Sequence, residues 1–280
     1  MNRVPSMSNV GDFNYSGKCV LVVGGASGMG AAAATTVAAL GADVIVMDVA
    51  DVAYPTGQVI KVDLRSKASV DAALAQIRRR VDVLFLCAGV ADGTKGLMLI
   101  NFTSQRHIVQ GLMSARWLKR GGAIVMISSV AGLAWQSQLP LTQDFLKTPD
   151  WDSAAAWVAA REGTDSYAVS KMVMNTYIAQ EAFPLLKQGI RINAILPGPT
   201  DTPLARANAD IWLAFGAGYR AAAGVQTLTP QQMANAMAFL GSDAASGING
   251  ITLLVDQGHI SSGVTGSYDD PVIKQAMGLN

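Results

Sequence analysis

Tyr167 and Lys171 stand four residues apart, which places them on one face of a helix. A free phenol has a pKa of about 10 and is a poor acid or base at neutral pH. A nearby cation favours the phenolate and lowers that pKa. The pair is therefore a sensible device for proton transfer. Upstream, Ser128-Ser129 end an apolar run and add two hydroxyls. A second constellation opens the chain: Val23-Gly24-Gly25-Ala26-Ser27-Gly28-Met29-Gly30 follows an apolar run and precedes an alanine-rich stretch. Gly24, Gly28 and Gly30 allow a tight turn and close approach of backbone N–H groups to a pyrophosphate at a helix N-terminus. Such spacing also arises by chance in a glycine-rich chain, so its position between strand and helix carries the reading. Asp48 ends the next apolar run, where an acidic residue accepts hydrogen bonds from an adenosine ribose. Its charge repels a 2′-phosphate, and no Arg or Lys lies in the turn or directly after Asp48. The cofactor expected is NAD(H) rather than NADP(H). Asp63, after the third run, either contacts adenine or caps the helix that follows.

These residues need a scaffold. Apolar runs recur at Cys19–Val23, Val44–Met47, Val59–Val62, Val83–Ala88, Ile124–Ile127, Ile190–Leu196 and Ile251–Val255. Each is short and nearly continuous, as expected of strands buried on both faces of a parallel sheet. Helical stretches separate most of them: Met29–Leu40, Lys67–Arg80, Asn101–Lys119 and Ser166–Leu186. Thr229-Pro230-Gln231-Gln232 reads as a helix start, with a Thr cap, Pro in the first turn and Gln closing a capping box. This alternation predicts a single doubly wound α/β Rossmann domain with about seven parallel strands and helices on both faces. Two stretches break the rhythm, 132–163 and 199–228. Insertions of that length in compact domains are usually lids or binding loops.

The order of motifs resembles the short-chain dehydrogenase/reductase family over roughly Lys18 to His259. It rests on Gly24, Gly28 and Gly30; Leu86-Cys87-Ala88-Gly89 where the family has NNAG; Asn101; Ile127-Ser128-Ser129; Tyr167 with Lys171; Pro197-Gly198 with Thr202; and Asp256-Gln257-Gly258. The resemblance implies a catalytic tetrad of Ser129, Tyr167, Lys171 and Asn101. It extends the cofactor site to Ser27, Met29, Asp63, Leu64, Cys87, Ala88, Gly89, Pro197, Gly198, Thr200 and Thr202. It also implies roles: Lys171 binds the nicotinamide ribose and lowers the Tyr167 pKa, Tyr167 moves the proton, Ser129 holds the reacting oxygen, and Asn101 holds a water. Val23, Leu86, Cys87 and Met126 depart from the family pattern at positions that mainly support the sheet. The long insertion between Ser129 and Tyr167, with LCAG and PGPTDTPL, resembles the bacterial 3α-hydroxysteroid dehydrogenase/carbonyl reductase branch. Relatives assemble as dimers or tetramers, so a homo-oligomer using 230–240 and 251–255 is expected.

The chain has 280 residues, 50% hydrophobic and 15% charged, with 21 Lys+Arg against 20 Asp+Glu. That balance excludes disorder and gives no electrostatic footprint for nucleic acid. The mean hydropathy of +0.29 is high, yet no long run of strongly apolar residues suits a membrane span. No secretory signal is readable, and Cys19 and Cys87 sit in apolar runs, so a reduced cytoplasmic protein is expected. The two His and two Cys show no metal-ligand spacing. Of the five Trp, Trp135, Trp151 and Trp157 fall in the first insertion and Trp212 in the second, beside Phe215 and after Leu204. Trp212, Phe215 and Leu204 are the candidate substrate contacts, and both stretches are expected to border the cleft. An apolar secondary alcohol or ketone fits, a hydroxysteroid first and an aryl or terpenoid alcohol second, with a non-catalytic NAD(H)-binding sensor as the alternative that the complete tetrad argues against. Asp150-Trp151-Asp152-Ser153 and the alanines that follow read as a short helix bracing that wall. Leu204, Ile211, Trp212, Leu213 and Phe215 at helical spacing suggest a single apolar lid helix.

Overall fold

The structure, a computed structural model, describes residues 8–276. Its strands are β1 (Cys19–Val23), β2 (Asp43–Asp48), β3 (Gln58–Lys61), β4 (Val83–Leu86), β5 (Ala123–Ile127), β6 (Arg191–Pro197) and β7 (Thr252–Val255). They form one sheet in the order β3-β2-β1-β4-β5-β6-β7, every neighbouring pair parallel. Central strands are buried at every position, whereas the edges β3 and β7 are partly open. Successive residues feed opposite faces. Leu21 and Val23 join one apolar cluster, Val20 and Val22 the other; β4 and β5 divide the same way.

Twelve α-helices complete the described residues: α1 (Gly28–Ala39), α2 (Lys67–Leu74), α3 (Ser104–Ser114), α4 (Leu139–Leu146), α5 (Trp151–Ala159), α6 (Tyr167–Lys187), α7 (Pro203–Arg206), α8 (Ala209–Trp212), α9 (Ala217–Ala223), α10 (Pro230–Gly241), α11 (His259–Thr265) and α12 (Pro271–Ala276). α1 and α10 pack together on one face of the sheet. α2, α3 and α6 cover the other. The Thr229–Gln232 capping box forms as expected, and Asp150 with Ser153 makes a second one at α5.

Three expectations need correction. α2 ends at Leu74 rather than near Arg80, because bonds to the third residue back close it at Gln76 and Ile77. The 199–228 stretch holds three short helices, not one. Gly216 is left-handed (φ +66) and precedes α9, separating it from α8. The insertion borders the cleft only through Leu133 and Ala134, and the rest of it is a packed block rather than a loop. Trp151 and Trp157 are only 6% and 8% exposed, and Trp157 meets Phe145 edge-on.

Candidate active site

The sheet order reverses between β1 and β4, and the segments leaving those strands open a crevice at their carboxyl ends. Gly24 leaves β1 with φ +81, and its N–H donates to the Met47 carbonyl at 2.8 Å. A side chain there would run into the Ala88 backbone, and one at Gly30 would strike the Gly24 carbonyl. Two of the three glycines are thus required by close approach alone. The Gly25–Ala26 peptide is held at both ends: Tyr54 donates its hydroxyl to the Gly25 carbonyl, and Ala26 N–H donates to Asp48 Oδ2 at 2.8 Å. Ser27 sits extended at the start of α1 and makes no side-chain capping bond. Its hydroxyl and the first N–H groups of a twelve-residue helix are therefore available to an anion, which fits a pyrophosphate.

Asp48, expected to accept from a ribose, is at the edge of that cradle and already has two backbone partners. Oδ1 accepts from Ala50 N–H and Oδ2 from Ala26 N–H, so the carboxylate also fixes the turn. Asp63 does not cap α2, since Ser66 does, accepting from Ser69 N–H. Its carboxylate is instead forked onto the Arg65 guanidinium, which holds its pKa below the usual range. Leu64, beside it, is buried in the core.

Tyr167 opens α6, and its N–H donates to Asp92 Oδ1 at 2.7 Å. One turn on, Lys171 is 2% exposed, and its Nζ donates to the Ile127 carbonyl at 2.8 Å and lies 5.4 Å from the Tyr167 ring centre. Burial pushes its pKa down to about 7. Burial raises the Tyr167 phenol above its ordinary value; a hydrogen bond from Ser129 offsets part of this and the Asp92 charge adds to it. The lowering expected from Lys171 is not found: burial is the largest cause, and Ser129, not Lys171, is the group that offsets it. The two serines divide their work. Ser128 is buried and bonded to Asn175 Oδ1 at 2.6 Å, whereas Ser129 Oγ accepts from Ala131 N–H and stays beside Tyr167.

Asn101 lies in a π-helical turn, Leu99–Thr103, ahead of α3. Its amide pairs with both backbone groups of Val90 and reaches Ser170 Oγ at 3.3 Å. It thus ties the segment after β4 to α6, next to Lys171 rather than bonded to it.

A cavity of about 510 Å³ joins these groups. Met29, Cys87, Ala88 and Gly89 line one side, Pro197, Gly198, Thr200 and Thr202 another. Ser129, Tyr167 and Lys171 share it with Leu204, Trp212 and Phe215. Cys87 is therefore a cavity residue and not only a core one. Trp212 lies against the Tyr167 ring, centres 4.8 Å apart. Thr202 caps α7, accepting from Ala205 N–H, and sits over Gly28. Trp135, Trp151 and Trp157 do not line the cavity; from the insertion side Leu133 and Ala134 do. Sequence reasoning missed Asp92, which anchors the Tyr167 amide, and Tyr54, which anchors the turn. Asp92 precedes a glycine, a turn signal with no hint of its distant partner. It also missed Ile260, Val272 and Ile273, which reach the cavity from the C-terminal segment.

Comparison with known proteins agrees with this layout. The short chain dehydrogenase family model matches residues 18–140, and a second, described as enoyl-(acyl carrier protein) reductase, matches 152–259. The chain is 30% identical to cis-4-hydroxycyclohexanecarboxylate dehydrogenase of Sinomonas cyclohexanicum, covering 88% of this chain and 97% of that one. It is 27% identical to coniferyl-alcohol dehydrogenase of Pseudomonas sp. (strain HR199 / DSM 7063), with the same coverages. Its fold is similar to the crystal structure of 3-alpha-hydroxysteroid dehydrogenase from Pseudomonas sp. B-0831 complexed with NADH. That match has a TM-score of 0.72 at 25% identity and covers 90% of this chain and 100% of that one.

Proposed function

Because the chain belongs to the short-chain dehydrogenase/reductase family of oxidoreductases, we propose that it interconverts an apolar secondary alcohol and its ketone with NAD(H). The observation that carries this reading is the cavity in which Tyr167 and Ser129 face an apolar roof of Leu204, Trp212 and Phe215. The turn from Gly24 to Gly30 would hold the pyrophosphate, Asp48 the adenosine ribose, and Lys171 the nicotinamide ribose. When bound, the nicotinamide supplies or accepts the hydride. Tyr167 removes the proton from the alcohol oxygen in oxidation and returns it to the carbonyl oxygen in reduction. Ser129 donates a hydrogen bond to the same oxygen and fixes its place beside the phenol. Lys171 spends one of its three donors on Ile127 and keeps two for ribose hydroxyls. A cyclic alcohol such as a hydroxysteroid suits the apolar lining best. The aromatic face of Trp212, and the likeness to coniferyl-alcohol dehydrogenase, favour an aryl alcohol as the second reading.

Turnover of a panel of secondary alcohols with NAD tests the proposal. Tyr167→Phe should lower kcat by about 10²–10⁴-fold while leaving NADH affinity nearly intact. Near-full activity in that variant would remove the proton-transfer role. Asp48 predicts a preference for NAD over NADP, and a kcat/KM with NADP equal to or above that with NAD would sink it. Asp48→Ala should narrow the preference and also weaken NADH binding, since the Ala26 N–H loses its acceptor.

A further inference from the structure

The residues beyond Gly258 carry no motif, yet three of them line the cavity with Tyr167. Ile260 comes from α11, and Val272 and Ile273 come from α12. The two helices are closely apposed: a side chain on Gly263 would collide with Ile273. Asp270 Oδ1 accepts from Val272 and Ile273 N–H at 3.0 and 3.2 Å and so starts α12. Its other oxygen meets His259 Nε2 at 2.8 Å, and His259 is 3% exposed. His259 in turn is enclosed by the roof. Tyr219 stacks on its ring at 4.7 Å and Phe215 lies at 5.1 Å. Gly216 passes so close that a side chain there would strike the imidazole. Tyr219 also donates to the Gln257 carbonyl, and its ring meets Tyr268 edge-on. Phe215 therefore touches both the cavity and the imidazole that holds the C-terminal arm.

We propose that this arm, residues 259–275, is the size-selecting wall of the substrate pocket, with His259 and Asp270 as the positioning residues that fasten it to the roof. The wall is apolar where it meets the cavity, so it favours fused-ring over single-ring alcohols. Removing the Asp270 carboxylate frees α12 from its cap and from the imidazole together. The inference rests on the dehydrogenase reading of the same cavity.

The test is calorimetric titration of the NADH-loaded protein with 2-decalol, a fused-ring alcohol, and with cyclohexanol. Val272→Phe should weaken 2-decalol by about tenfold or more and cyclohexanol by less than about twofold. Asp270→Ala should erase most of the preference for 2-decalol, and Asp270→Asn, which keeps the capping oxygen, should restore it. NADH affinity should stay unchanged throughout. An unaltered ratio in Val272→Phe, or NADH affinity falling in step with alcohol affinity, overturns the wall. If the protein fails to bind NADH, the dehydrogenase reading falls instead, and the same titrations of the free protein still decide the wall. A protein that binds neither alcohol overturns it as well.

Discussion

The two long stretches that interrupt the α/β rhythm look alike in sequence: both carry tryptophan and both lie next to catalytic motifs. In space they differ. The 132–163 block packs into the core, with Phe145, Trp151, Ala154 and Trp157 buried and Thr142 bonded to Thr176 of α6. The 199–228 stretch sits on top. Neither α8 nor α9 has a buried residue, and Ile211 is 73% exposed. One is a buttress that fixes where α6 presents Tyr167, the other a roof that the cavity holds partly open. Aromatic content did not distinguish them; what did was whether each helix has an apolar face with a partner.

The sharpest way to break this contrast is to cut one tryptophan from each. Trp157 donates to Asp144 at 2.8 Å, lies under the Arg161 guanidinium and packs on Phe145. Trp157→Ala should cost about 3–5 kcal/mol of stability, measured by denaturant unfolding. Trp212→Ala should cost less than about 1 kcal/mol and act mainly on KM for the alcohol. If the two variants lost similar stability, the roof would be another piece of core. Hydrogen exchange gives the next test. Residues 203–222 should be protected more with NADH and an alcohol than without, while 139–159 should be protected equally in both states. Strong, equal protection of both segments would show a permanently packed roof.

A last effect lies on the pH axis. Lys171 has a folded pKa of about 7, below its value of about 10.4 in an unfolded chain. Between those values the unfolded chain binds a proton that the native state does not, so stability rises with pH. Below about 7 both states are protonated and the full burial penalty remains. Thermal unfolding without cofactor should therefore move upward from pH 7 to 8.5, and Lys171→Met should remove that rise. Trp212→Ala should shrink it, because an opened roof lets water reach the lysine.

Much of the machinery was legible in the chain. The glycine turn, the succession of apolar runs, the helix start at Asp150, the capping box at Thr229, and the Tyr167–Lys171 spacing are local patterns, set by backbone sterics and periodicity over a few residues. Asn101 could be named only through the resemblance. Its π-helical turn and its grip on Val90 depend on a segment that precedes α3 in the chain and reaches it through the fold.

What the sequence determined by itself is thus the local geometry: which residues turn, which alternate between buried faces, and which two side chains share a helical face. Tertiary structure alone decided that Asp48 and Tyr54 hold one peptide between them, that Trp157 is core and Trp212 is roof, and that Ile273 faces the cavity of Tyr167. Each of these joins residues far apart in the chain. Periodicity reports only that a side chain needs a partner, and packing across the sheet chooses which partner it meets.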